Sequence, residues 1–153
     1  MSEKAEALAR ELLALYAGFD DSIRLQREKE RAESAAMMNF LTHQTPENRA
    51  GREFYPAVER LCLALAAEQI EPDAPLLLDL AGVMLAPPSG QQSRDMTMIA
   101  CQQYLIPLLG CFRAETLARI RADFLRSYPK RTLFPKQRAL LKALDAHIRR
   151  ETL

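Results

Sequence analysis

Apolar residues recur three and four positions apart along nearly the whole chain, which is the period of helices with one buried face. Over residues 3–18, Ala5, Leu8, Leu12 and Leu15 or Tyr16 lie on such a face, with Phe19 just beyond. Glu3 and Glu6 suit the positive end of that helix, and Gly18 predicts its end. Asp20-Asp21-Ser22 predicts a second helix reaching about His43. Its first half carries charge of both signs, with Arg24/Glu28 and Lys29/Glu33 four apart on a solvated face. Its second half turns apolar through Ala35, Ala36, Met37, Met38, Phe40 and Leu41. Thr45-Pro46-Glu47 opens a third helix with a capping hydroxyl, a proline at the first position and an acid in the first turn. That helix should run to Gln69 over a stripe of Val58, Leu61, Cys62, Leu65 and Ala66, kinked or split at Pro56.

Residues 70–112 form the centre of the pattern. Leu76 to Leu85 is apolar on nearly every side, with Asp79 its only charge, so the spacing predicts a buried helix. Asp73 is its expected cap, Pro75 fits its first turn, and Pro87-Pro88 stops it. A second helix starts near Ser93 or Asp95 and presents Met96, Ile99, Cys101, Tyr104, Leu105, Leu108, Leu109 and Phe112. Pro107 predicts a kink in it. Arg113 to Tyr128 is then amphipathic, with Leu117, Ile120, Phe124 and Leu125 inward and Arg119, Arg121 and Arg126 outward. Pro129 ends it, residues 129–135 make a stiff basic link, and Pro135 opens a last helix carrying Leu140, Leu141, Leu144 and Ile148. No strand and no repeat emerges, so the expected fold is all-α: one domain over residues 1–153, a helical bundle of six or seven helices.

Composition bounds the function. A chain of 153 residues with 48% hydrophobic and 27% charged residues is long enough for a real core and is not a disordered composition. No leader pattern and no apolar run long enough for a membrane span is visible. Cys62, Cys101 and Cys111 are odd in number and scattered over apolar helices, which argues for free thiols in a reducing cytoplasm. The net charge of +1 hides an asymmetry: residues 1–112 carry ten basic and sixteen acidic groups, whereas residues 113–153 carry eleven basic and four acidic ones.

Catalytic chemistry has no visible carrier. Phosphate-cradling glycine loops, a nucleophile elbow, Cys-x-x-Cys and His-Glu-x-x-His are all missing from the sequence. His43 and His147 stand at helix ends, where surface or capping roles are the rule, and no acidic pair has the spacing of a helical metal site. Asp79 must be paired or exposed to be tolerated in so apolar a helix. The expectation is a binding protein that is not an enzyme and holds no cofactor or metal.

Glu71-Pro72-Asp73, followed by an apolar helix, resembles the acidic-proline hinge of the TorD/NarJ-like family of redox-enzyme maturation chaperones, with Ala74 where that hinge has histidine. Gln103-Tyr104-Leu105-Ile106-Pro107-Leu108, followed by Phe112, is similar to the family's later helix, with Tyr104 and Leu108 replacing histidine and tryptophan. Phe134 and the leucines of the last helix also look like the family's ending, so the likeness covers residues from about 70 to 150. The resemblance implies an all-helical cytoplasmic chaperone that binds a partner enzyme's twin-arginine signal peptide or its apo form. Glu71, Pro72, Asp73, Asp79 and Tyr104 are the partner-binding residues on that view: the acids meet arginines, and Tyr104 offers an amphipathic contact.

Two other classes fit the sequence. The basic C-terminal third, through Arg119, Arg126, Lys130, Arg131, Lys136 and Arg138, could line the phosphates of a nucleic acid. A helical secretion-type adaptor is the other, in which the acidic two-thirds of one copy meets the basic third of another to make a homodimer.

Overall fold

The structure is a computed structural model that describes residues 1–32, 46–87 and 92–152. Among the described residues it contains six α-helices, two 3-10 segments and no strand, consistent with a single-domain helical bundle. The α-helices are α1 (Glu3–Ala32), α2 (Pro46–Ala66), α3 (Pro75–Met84), α4 (Gln92–Cys101), α5 (Ala114–Ser127) and α6 (Pro135–Thr152). The 3-10 segments are Gln102–Cys111 and Lys130–Thr132.

Helix α1 corrects the expected break at Gly18, because Glu3–Ala32 is one helix. Glycine inside a helix costs about 1 kcal/mol relative to alanine. Packing beyond it outweighs that cost. The buried stripe of Ala5, Ala9, Leu12, Tyr16 and Phe19 keeps helical spacing straight past Gly18. Phe54 of α2 makes a T-shaped contact with Tyr16 at 4.8 Å between centroids and a tilted one with Phe19 at 4.5 Å. The pairs Arg24/Glu28 and Lys29/Glu33, the apolar stretch Ala35–Leu41, the end at His43, the cap at Thr45 and the stop at Pro88 lie outside the described residues and side chains.

Helix α2 keeps Pro56 inside it without splitting and ends at Ala66 rather than Gln69. Its stripe of Val58, Leu61, Cys62 and Leu65 is buried against α1 and the longer 3-10 segment. Pro107 does more than kink the helix after α4. The whole stretch Gln102–Cys111 winds as a 3-10 helix, beginning five residues before the proline. Pro107 has no amide to offer a carbonyl four residues back, and its ring crowds that carbonyl, so the tighter winding replaces the α-helical one. Leu105, Leu108 and Leu109 still reach the core, which this segment shares with α2 and α6.

Helix α3 is not buried all round. Leu77, Leu80, Ala81 and Met84 face the core, whereas Asp79 and Gly82 are exposed. Helix α5 buries Thr116, Leu117 and Phe124 and packs on α6, where Arg121 pairs with Asp145 at 2.6 Å. In α6, Leu140, Leu141 and Leu144 are buried.

Candidate partner-binding surfaces

The hinge is a clamp. Asp73 has a φ of 58°, a left-handed conformation that aspartate tolerates better than most side chains. The residue before α3 is Ala74, which makes no side-chain cap, so Asp73 does not cap α3 as expected. It reaches the start of α5 instead. Its Oδ1 accepts the Arg113 amide at 3.0 Å and its Oδ2 accepts the Thr116 hydroxyl at 2.6 Å. Its own amide donates to the Cys111 carbonyl at 2.9 Å, so the two ends of the central stretch are joined. Partial burial is the largest single influence on the Asp73 carboxyl and pushes its pKa up. The Thr116 and Arg113 hydrogen bonds and the charges of Arg113 and Arg119 outweigh it and leave the net value lowered.

Glu71 accepts the amino group of Met1, which holds its carboxyl below the usual range. Pro72 and Asp79 are exposed. Tyr104 is half-buried on the longer 3-10 segment. Burial first, and then the charge of Glu59 on α2, push its hydroxyl pKa up. The structure therefore does not gather the five hinge-related residues into one cluster. Glu71 and Asp73 serve intramolecular contacts, Asp79 stands on the open side of α3, and Tyr104 lies toward α2.

Two grooves open on the surface. The first runs between α3 and α5. Both helices begin at the Asp73 clamp, and both end where the Tyr128 hydroxyl donates to the Ala86 carbonyl at 2.7 Å. These ties hold the two helices near each other at both ends. Between them is a groove of about 390 Å³ floored by Leu78, Ala81, Leu85, Ile120 and Phe124. Arg119, Asp123 and Arg126 stand along its α5 side, and Arg126 pairs with Asp123 at 3.0 Å. Gly82 also lines it, and a Cβ added there would meet nothing within 4 Å.

The second groove, of about 360 Å³, lies along α6. Lys130, Arg138, Lys142 and Arg149 surround Leu133 and Leu141, with Asp145 among them. The six basic residues read from the sequence thus separate. Arg119 and Arg126 belong to the first groove, Lys130 and Arg138 to the second, and the exposed Arg131 and Lys136 line neither. Lys142 and Arg149 complete the second groove. Their positions four and eleven residues after Arg138 are a helical-face signal already present in the sequence.

The cysteines are free. Cys62 and Cys101 are buried, and burial pushes each thiol up to about 12. Among the described residues no group of three or more His, Cys, Asp or Glu is placed to hold a metal, and no helix is long and apolar enough to cross a membrane. Comparisons of the chain with family models, with curated proteins and with solved structures found no match.

Proposed function

We propose that this chain is a non-catalytic binding protein that takes an apolar segment of a partner protein into the groove between α3 and α5. One observation carries the reading. The most apolar helix among the described residues is tied to α5 near both ends yet leaves Leu78, Gly82 and Leu85 facing an open groove. A groove with an apolar floor and charges at its edge suits an amphipathic or extended peptide. The resemblance in the hinge suggests which partner to test first: the signal peptide or apo form of a redox enzyme, met in the cytoplasm by a maturation chaperone. An apolar signal segment fits the floor. For its basic residues the nearby carboxylates are the exposed Asp79, next in the chain to Leu78, and Asp123, which shares the rim with Arg119 and Arg126 and would have to exchange its pairing with Arg126. The exposed Asp123–Arg126 pair is worth at most about 1 kcal/mol and exchanges readily.

Gly82→Leu is the test. The new side chain points into open space and fills the groove, while replacing an in-helix glycine favours the fold by up to about 1 kcal/mol. A labelled twin-arginine signal peptide should bind the wild-type chain and bind the variant at least tenfold more weakly, about 1.4 kcal/mol or more. Equal binding by a folded Gly82→Leu protein would remove the groove as the site. Recovery of a molybdenum or iron–sulfur enzyme precursor from native cytoplasm by the wild type, and not by the variant, would identify the partner class.

A further inference from the structure

We infer that the corner between α5 and α6 is a membrane-surface contact, in which Phe134 enters the interface of a bilayer and the cations around it meet anionic lipid headgroups. Over residues 129–137 only Leu133 and Gln137 are buried, and all the others face solvent. Those two side chains pin an outward corner to the bundle. Phe134, 45% exposed, is the one aromatic ring among the described side chains that is left to solvent.

The corner is built to hold that ring out. The amide and the hydroxyl of Thr132 both donate to the Pro129 carbonyl at 2.9 Å. The Phe134 amide donates to Gln137 Oε1 at 3.0 Å, and the Arg138 guanidinium donates to the Leu133 carbonyl at 2.6 Å. Pro129 and Pro135 fix two further backbone angles. The backbone that carries the ring is settled before any partner arrives, so insertion pays little for ordering it.

Charge selects an anionic surface. No acid occurs between Asp123 and Asp145, whereas Lys130, Arg131, Lys136, Arg138 and Lys142 are all exposed. The two bounding acids are themselves paired, Asp123 with Arg126 and Asp145 with Arg121. Placement selects a plane over a strand. Lys130, Arg138 and Lys142 line the groove along α6, and Arg131 and Lys136 lie off it, so cations stand on more than one side of the link. A sheet of headgroups can meet them together. A single strand of nucleic acid follows one track and wants a row of aromatic platforms, where this corner has one ring. A lone ring needs no shaped pocket in a bilayer, whose interface takes in aromatic side chains. Each cation near an anionic leaflet adds its own attraction.

The chain has no tryptophan, so Phe134→Trp places a single fluorescent reporter at the corner. The full chain carrying it is mixed at low salt with vesicles of phosphatidylcholine alone, or of equal parts phosphatidylcholine and phosphatidylglycerol. With the mixed vesicles only, the emission should shift to the blue and the protein should co-sediment. Arg131→Glu/Lys136→Glu should weaken co-sedimentation by roughly tenfold or more, as should moderate salt. Phe134→Ser should weaken it roughly tenfold and keep the salt dependence. Helical circular dichroism of each variant should match the wild type. None of these positions lines the α3–α5 groove, so the outcome is independent of the function proposed above. No co-sedimentation with the mixed vesicles, co-sedimentation without a blue shift, equal binding to the neutral vesicles, equal binding by the charge variant, or tighter binding to a single-stranded DNA oligomer at equal phosphate would each overturn the inference.

Discussion

The side-chain amide of Gln137 donates to Oε1 of Gln102 at 3.0 Å, and both side chains are closed off from solvent. Gln137 also turns its own Oε1 back to the Phe134 amide at 3.0 Å, one position before α6. That is half of a capping box, in which the third helical residue satisfies the amide at the helix entrance. One side chain therefore starts the last helix and fastens it to the 3-10 segment that carries Leu105, Leu108 and Leu109. The arrangement is incomplete, because Gln102 Nε2 has no partner.

Gln137→Leu should cost about 2–4 kcal/mol, since it removes the cap bond and strands the buried Gln102 oxygen. Changing Gln102 to Leu as well should recover part of that loss, because replacing both polar partners by apolar ones leaves nothing unsatisfied between them. Urea unfolding of the two single variants and the double variant closes the cycle. Additive losses would show that the two glutamines do not act as a pair.

Asp73 predicts both a mutational and a pH effect. Asp73→Gly keeps the left-handed backbone easy and deletes only the carboxylate, so it isolates the clamp on α5 and should cost about 1–2 kcal/mol. The folded carboxyl lies below its unfolded value of about 3.9. The contribution of its charge is therefore complete above that pH and is lost as pH falls through the lower, folded value. The stability gap between wild type and Asp73→Asn should be flat near neutrality and shrink below about pH 4. A gap that widens with acid would contradict the clamp. Weaker partner binding by an Asp73→Ala variant has to be read beside its melting temperature, because the same change loosens α5.

Local chemistry was legible in the sequence and tertiary choices were not. Pro75 and Pro135 mark the starts of α3 and α6, since a proline suits the first helical position wherever the rest of the chain goes. Gly18 misled because the rings of Tyr16 and Phe19 find Phe54 more than thirty residues away, and that packing carries α1 through. Pro107 announced a disturbance but not that ten residues would rewind around it. Asp73 satisfies a helix start, but not that of α3, which its place in the sequence predicts. The helix is α5, reached through space because the backbone turns left-handed at that residue. The basic face of α6 is visible in the spacing of Arg138, Lys142 and Arg149, whereas Lys130 joins it only through the fold.

Tyr16 supplies the last prediction. Its ring is buried against Phe54, and its hydroxyl has no hydrogen-bond partner. Burial is the first cause holding that hydroxyl in its neutral form, with the neighbouring Cys101 and Cys62 adding to it. A neutral hydroxyl without a partner still costs about 1–3 kcal/mol of lost hydration, while the ring repays its own burial through the apolar stripe. Tyr16→Phe deletes the oxygen, preserves the edge contact with Phe54 and leaves a gap too small for water. Part of the gain is offset by lost contacts around that gap, so the variant should be about 1 kcal/mol more stable than wild type. Denaturant midpoints at unchanged slope measure the difference directly. A loss of stability would mean that the hydroxyl is satisfied in solution by a group or a water inside the core. Tyr16 would then belong to a polar network with the thiols of Cys62 and Cys101, and Cys101→Ala should remove the difference between Tyr and Phe at this position.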